Sequence, residues 1–358
     1  MSSTLGTIFR ISTWGESHGP ALGVVVDGCP SGLELSADEI QVDLDRRRPG
    51  QSSLTTPRNE ADRVEILSGV FEGKTTGTPI SLLVRNTDQR SHDYGDMEFL
   101  YRPGHADLAY DLKYGFRDHR GGGRSSARET AARVTAGAIA RKILREKCGV
   151  EILAWVSQVG SVSAPARDSF PTREEIEASP VRCPDPAASA RMAEEVERAR
   201  SEQDSVGGVV EFAVLNPPAG LGEPVFDRVE AELAKAMLSI PASKGFEIGE
   251  GFRAAEMHGS EHNDRILHGP EGFSFATNHA GGTYGGISVG SPIFGRVAFK
   301  PTATIGREQQ TVSRTGEPAV LKAKGRHDPC VALRAPAVVE AMAALVLADL
   351  WLRDRARR

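Results

Sequence analysis

The chain has 358 residues, enough for one large domain or two ordinary ones, and its 39% apolar and 25% charged residues suit a globular chain with a real core. Its 43 basic and 48 acidic residues leave a net charge of −5, which argues against a bulk nucleic-acid binder and confines basic chemistry to local clusters. Thirty-eight glycines and 21 prolines predict frequent turns, and no period of three runs through the glycines, so a collagen-like fibre is excluded.

In chain order, the segment MSSTLGTIFRISTWGESHG carries no apolar signal core. Ala21–Val26 is a short apolar run closed by DGCPSG, the pattern of a strand ending in a turn. Ser36 with Glu39 three residues on forms a capping box, and Ile40 and Leu44 then share a helix face. Pro79–Val84 reads as a buried strand and Arg128–Lys147 as a helix whose Ala and Gly permit close packing against another backbone. Residues 161–205 are polar and proline-bearing, a candidate insertion with an exposed helix over Ala187–Arg200. Thr302–Lys324 shows no periodicity and reads as a mobile loop. Ala337–Leu352 is apolar nearly all round, so a buried central helix is expected, and its charged Asp349 and short apolar run fall below the ~20 residues of a membrane span.

Helix and strand signals keep the same character throughout, so a single domain over 1–358 is expected. Four scattered cysteines (Cys29, Cys148, Cys183, Cys330) form no CxxC pair, which indicates neither a zinc ribbon nor a disulfide framework and suggests a reduced, cytoplasmic, soluble protein. The halves also echo each other. Pro30-Ser31-Gly32-Leu33 precedes a helix as Pro218-Ala219-Gly220-Leu221 does, Gly77-Thr78-Pro79-Ile80 opens a strand as Gly290-Ser291-Pro292-Ile293 does, and Gly123-Arg124 and Gly325-Arg326 each lead towards a helix. Three pairs in the same order suggest an internal duplication.

Seven segments could carry chemistry. His18 lies in Gly15-Glu16-Ser17-His18-Gly19 and His105 in Arg102-Pro103-Gly104-His105-Ala106-Asp107, both glycine-flanked loop settings where an imidazole can titrate and meet a ligand. Asp107 could orient His105, although two residues apart they would share a face on a strand and not on a helix. A lone loop histidine is more often a plain surface residue; two in similar settings weaken that reading. Arg117 to Thr130 (RDHRGGGRSSARET) combines three glycines, serine donors, Arg124 and Arg128 ahead of a helix N-terminus, a natural anion site. It has no GK[ST] of a P-loop and no preceding strand of a dinucleotide fingerprint. Asp45-Arg46-Arg47-Arg48 near a helix end is also explicable by the helix dipole alone. Lys300-Pro301-Thr302-Ala303-Thr304, Gly325 to Cys330 (GRHDPC) and the turn Asn278 to Gly286, where a flat ligand could lie on backbone, complete the set. The nine histidines show no HxH spacing and no paired-carboxylate pattern accompanies them, so no metal site is expected. Together these residues describe a site for a small polyanion, phosphorylated and carboxylated, with histidines transferring protons.

GESHG at 15–19, RPGHAD at 102–107, GRSSARET at 123–130, NHAGG at 278–282, KPT at 300–302 and GRHDPC at 325–330 resemble chorismate synthase, in order and over about residues 7–352. The resemblance implies an α+β single-domain fold with helices packed between antiparallel sheets, and a homotetramer. It implies a lyase converting 5-enolpyruvylshikimate-3-phosphate to chorismate and phosphate by anti-1,4-elimination, the last step of the shikimate pathway. Reduced FMN is required although the reaction has no net redox change. By resemblance, His18 protonates the departing phosphate, His105 keeps the reduced flavin suitably protonated, and Asp328 assists proton removal. Arg47, Arg102, Arg128 and Arg326 hold the substrate anions. FMN is held by Arg124, Ser125, Ser126, Pro241, Ala242, Gly285, Lys300, Pro301, Thr302, Ala303, Thr304 and Arg326.

One departure stands out. Many members carry an arginine six residues beyond Arg47, where this chain has Ser53, so one anion contact is in doubt, with Arg58 or Arg48 as stand-in. Any NADPH serving as reductant would use Arg47 and Ser53. No extra domain or nucleotide fingerprint is present, which favours an outside source of electrons. The competing readings are a non-catalytic flavin or phosphate-ligand carrier, which needs neither both histidines nor the additional arginines, and a kinase, disfavoured by the missing GK[ST] and metal carboxylates.

Overall fold

The computed structural model describes residues 3–52, 54–56, 60–88, 95, 97–270, 272–323 and 328–357. The first half runs β1 (Thr4–Leu5), β2 (Arg10–Gly15), β3 (Ala21–Asp27), α1 (Ala37–Arg47), β4 (Val64–Ile66), β5 (Val70–Phe71), β6 (Lys74–Thr75), β7 (Ile80–Arg85), α2 (Asp107–Tyr114) and α3 (Thr130–Cys148). The second runs β8 (Glu151–Val159), β9 (Val162–Ser163), α4 (Arg173–Glu177), α5 (Pro186–Ser201), β10 (Gly208–Leu215), α6 (Val229–Leu238), β11 (Ser243–Ile248) and α7 (Gly259–His262). There follow β12 (Ile266–Gly269), β13 (Gly272–Phe275), β14 (Thr283–Tyr284), β15 (Ile287–Ser288), β16 (Ile293–Phe299), β17 (Glu308–Val312), β18 (Pro318–Lys322) and α8 (Ala335–Arg355). The chain is mixed α+β, and the paired strands among the described residues are antiparallel.

Two five-stranded sheets, ordered β1-β2-β3-β7-β4 and β11-β16-β10-β8-β9, form the frame. Helix α3 packs on β2, β3 and β7 and also on α8, which packs in turn on β8 and β10. The alanine-rich composition of α3 serves this contact: a Cβ at Gly137 would lie 2.5 Å from the Cβ of Ala341 on α8. Every residue of α8 from Ala335 to Leu350 is buried, as an all-round apolar helix requires, so a length and hydropathy sufficient for a membrane are here spent on the core. Its two buried acids are matched. Burial acts to raise the Glu340 pKa, but the guanidinium groups of Arg46 and Arg173 pull it down to about 2. Asp349 accepts the backbone N–H groups of Thr7, Ile8 and Phe9 at 2.7–3.0 Å, fastening the start of the chain to the core.

The capping box forms as its sequence indicates, with Ser36 accepting from the Glu39 N–H and Glu39 accepting from the Ser36 N–H. The helix expected over 187–200 is α5, and it is not simply exposed, since Ala188, Ser189, Met192 and Val196 form a buried stripe. The stretch read as a loop over 302–324 contains the β17–β18 hairpin. That hairpin alternates only between exposed and half-buried positions along most of its length, so no apolar period marks it. Ser313 pairs with Leu100, and Thr311 Oγ1 donates to the Tyr101 carbonyl, bracing the segment just ahead of Arg102.

The two halves share a hydrogen-bonded turn. Thr75 Oγ1 accepts from Leu33 N–H (3.0 Å) and donates to the Pro30 carbonyl (2.7 Å), while the Thr75 backbone pairs with Gly32 and Leu33. Ser288 Oγ accepts from Leu221 N–H (2.9 Å) and donates to the Pro218 carbonyl (2.6 Å), and its backbone pairs with Gly220 and Leu221. The sheet orders correspond as well, β2-β3-β7-β4 matching β8-β10-β16-β11, and the matched strands follow in the same order along the chain, with β9, α4 and α5 inserted between β8 and β10. The third sequence pair ends at Gly325-Arg326, outside the described residues.

Candidate active site

A cavity of about 330 Å³ opens where the start of α3, the start of α8 and the end of α1 converge. It is lined by His18, Arg47, Arg102, His105, Ser125, Ser126, Arg128, Pro241, Ala242, Lys300, Pro301, Thr302, Ala303, Thr304 and Asp328, all singled out from the sequence. Ser17, Thr56, Val331 and Arg334 also line it and were not foreseen. Among the lining residues, five arginine or lysine side chains face one carboxylate, so an acidic chain carries a cationic pocket. Two helix N-termini add to the positive potential.

The cations are held from behind. Asp62, 1% exposed and with a left-handed φ of 46°, lies between Arg47 and Arg128, its Oδ2 3.4 Å from Arg47 Nη1 and its Oδ1 bonded to Arg128 Nη1. Arg47 also donates Nε to Thr130 Oγ1 (3.1 Å) and Nη2 to the Ala127 carbonyl (2.5 Å). Burial, then Arg334 close by, draws the Arg47 guanidinium down to about 9, which leaves it charged at neutral pH. Arg102 grips Asp107 with Nε (2.8 Å) and Nη2 (2.7 Å) and also reaches the Gly121 carbonyl. Burial opposes ionisation of Asp107, but hydrogen bonds from Arg102 and His105 hold it well below the usual carboxylate range.

His105 and Asp107 meet without a strand. His105 sits in the turn ahead of α2 and Asp107 is the first residue of that helix, which brings Nδ1 to 2.9 Å from Oδ1. Burial lowers the His105 pKa, and the Asp107 bond opposes this only in part, so the ring is neutral at pH 7 with Nδ1–H on the carboxylate and Nε2 an acceptor. His18 Nδ1 lies 3.1 Å from Ser17 Oγ and packs against Gly121, where a Cβ would come within 2.1 Å of Nδ1. Both oxygens of Asp328 are engaged, one by the Thr56 N–H (3.0 Å) and the other by Arg334. Lys300 Nζ donates to the Gly104 carbonyl (2.7 Å), tying the KPTAT segment to the His105 loop.

Five expected residues lie elsewhere or outside the described part. Arg124 turns its guanidinium to the Gly15 carbonyl and Thr13 on β2 and does not line the cavity. Gly285 sits in the exposed β14–β15 turn, away from the wall. Arg326, with Ser53 and Arg58, falls outside the described residues. Gly281 and Gly282 of the Asn278–Gly286 turn serve internal packing: a Cβ at Gly281 would meet Gly249 N at 2.5 Å, and one at Gly282 the Pro292 carbonyl at 2.5 Å, whereas Gly285 has open space around it. Asp264 clamps that turn through the His279 and Ala280 N–H groups and the Tyr284 hydroxyl. Asp62 and Arg334 carried no sequence signal, since each reaches the site only through folding.

The donor set fits a flavin mononucleotide. The lining includes Pro241, Ala242, Pro301, Ala303 and Val331, apolar and backbone surface suited to a flat ring system, together with Ser125, Ser126, Thr302, Thr304 and Lys300 suited to a phosphate. Arg334 Nε is buried without a partner among the described residues, a donor left over for a ligand.

The chorismate synthase family model matches residues 9–352. The chain belongs to the chorismate synthase family. It is 59% identical over 357 residues to the chorismate synthase of Opitutus terrae, covering 100% of this chain and 98% of that protein. The enzyme of a Synechocystis species is 58% identical over 358 residues, at 100% and 99% coverage. A crystal structure of chorismate synthase superimposes with a TM-score of 0.77 at 34% identity, covering 98% of this chain and 93% of that one. The protein is therefore a lyase of the shikimate pathway, turning 5-enolpyruvylshikimate-3-phosphate into chorismate, with a small-molecule substrate and a flavin cofactor. A chorismate synthase must hold a phosphate and two carboxylates at once, which accounts for the clustered arginines in a chain of negative net charge.

Proposed function

We propose that the 330 Å³ cavity is where the elimination takes place, with His18 the general acid towards the departing phosphate and Arg47, Arg102 and Arg128 the anion holders. The observation that carries this reading is the convergence of both loop histidines on one cationic pocket. Arg326 completes the anion set by resemblance, and Arg334 is added because it lines the site with a spare Nε donor. Ser125, Ser126, Pro241, Ala242 and the stretch Lys300–Thr304 hold FMN; Arg124 and Gly285 keep that role by resemblance alone. Reduced FMN, when bound, supplies the electron density that eases C–O cleavage. Neutral His105, oriented by Asp107, presents Nε2 as a proton acceptor or relay on the same side as Lys300. Asp328, held by Thr56 and Arg334, assists proton removal once ligand binding frees an oxygen.

The enzyme works in the cytoplasm as a homotetramer, takes its reduced flavin from an external source and not through NADPH at Arg47 and Ser53, and needs no metal. The chain is a single domain whose helices are sandwiched between two duplicated sheets, a reading supported by the shared Thr75 and Ser288 turns. Anaerobic turnover of the substrate with reduced FMN, oxidised FMN and no flavin tests the assignment. Turnover is expected with the reduced form alone, and full-rate product with oxidised FMN would overturn it. A flavin carrier would bind FMN and leave the substrate unchanged.

A further inference from the structure

Asn86 directly follows the last residue of β7, and its side chain uses both ends at once. Its Oδ1 accepts Arg128 Nε at 2.9 Å, while its Nδ2 donates to the Glu16 carbonyl at 3.0 Å and to the Gly19 carbonyl at 2.8 Å. The two carbonyls bracket His18, and the Asn86 backbone N–H meets the Pro20 carbonyl at 3.1 Å. An amide is the one side-chain type of this size that can accept from a guanidinium and donate to two carbonyls together. The third element at this corner is Asp62, which holds Arg128 from Nη1 and spends its other oxygen on Arg47. Asn86 therefore fixes the distance between a proton-donating ring and an anion-holding guanidinium.

We propose that Asn86 is a positioning residue that couples His18 to Arg128, so that the bound anion and the acid sit in register. This rests on the reading of the cavity given above. Asn86→Asp separates the two ends: a carboxylate still accepts from Arg128, but it cannot donate to Glu16 and Gly19 and repels their carbonyls. Asn86→Ala removes both. Glu60, which accepts the Thr87 and Asp88 N–H groups, holds the backbone on the far side independently of the amide, so the local fold has a second anchor.

The test measures kcat and KM with reduced FMN for wild type, Asn86→Asp, Asn86→Ala, His18→Ala and the double variant His18→Ala/Asn86→Asp, together with calorimetric binding of the substrate to the oxidised-FMN enzyme. Asn86→Asp is expected to lower kcat roughly tenfold with substrate affinity within about threefold of wild type, from the loss of two hydrogen bonds to the loop. Asn86→Ala is expected to weaken affinity as well. On the His18→Ala background the Asn86→Asp substitution should cost nothing further in kcat, because a residue acting through His18 has nothing left to position. Undiminished kcat in Asn86→Asp, or a full multiplicative loss in the double variant, overturns the proposal. Failure of the underlying reading looks different: His18→Ala would then turn over as fast as wild type.

Discussion

Asp62 places one carboxylate oxygen on Arg47 and the other on Arg128, in a position 1% exposed to solvent. A single buried anion thus balances two cations that would otherwise repel each other across the pocket. Its arrangement also leaves N–H groups of both guanidinium ions for an incoming anion.

Replacing Asp62 by Asn removes that balance. Leaving buried charges without their partner typically costs about 3–5 kcal/mol, so Asp62→Asn should lower the denaturant midpoint by a clear margin. Saturating substrate should recover part of the loss, because its anions take over the compensation. Denaturation curves with and without substrate check both points.

The His105 ring provides a pH marker. Burial lowers its pKa and Asp107 limits that drop, so Asp107→Asn should move the imidazole titration further down, since it removes the anion that favours the charged ring. NMR titration of the ring protons reads this directly. An unfolded histidine titrates near 6.5. The unfolded state therefore binds the extra proton between that value and the lower folded one, and His105 contributes a loss of stability as pH falls through that window.

His18→Ala and His105→Ala should each lower kcat far more than they weaken substrate binding, as groups that move protons typically contribute ~10²–10⁴-fold in rate. Steady-state kinetics under anaerobic conditions separate the two parameters. Unchanged kcat with a raised KM would make both of them binding residues.

Gly121→Ala tests the packing of His18. The new methyl would come within 2.1 Å of His18 Nδ1 at a residue with φ of 74°, so the ring must leave its place. A large fall in kcat is expected, with FMN affinity, measured by fluorescence quenching, close to wild type.

The two matching turns predict matched costs. Thr75→Ala and Ser288→Ala each remove a hydroxyl that both donates and accepts in a buried setting, so each should destabilise by about 1–3 kcal/mol. Thermal unfolding of the two variants should show similar shifts.

Ser36 and Glu39, the alanines of α3 and the apolar run of α8 each state their own structure, because capping and all-round apolarity act within a few residues of chain. The motif segments at 15–19, 102–107, 123–130 and 300–302 were legible for the same reason, glycine, histidine, arginine and lysine at fixed local spacing, and all four segments contribute to the cavity wall. The β17–β18 hairpin was not, since its partly exposed strands lack the apolar alternation that burial imposes. Nor was the packing role of Gly281 and Gly282, whose neighbours Gly249 and Pro292 are distant or differently placed until the chain folds. Asp62, Asn86 and Arg334 belong to the site only because β7, α3 and α8 bring residues from positions 62 to 334 to one corner. The sequence by itself determined which acids, bases and cations were available, as residue type sets acidity and charge. Only the tertiary structure decided which of them are charge-balanced, oriented and within reach of one another, since those properties depend on distances that no local pattern encodes.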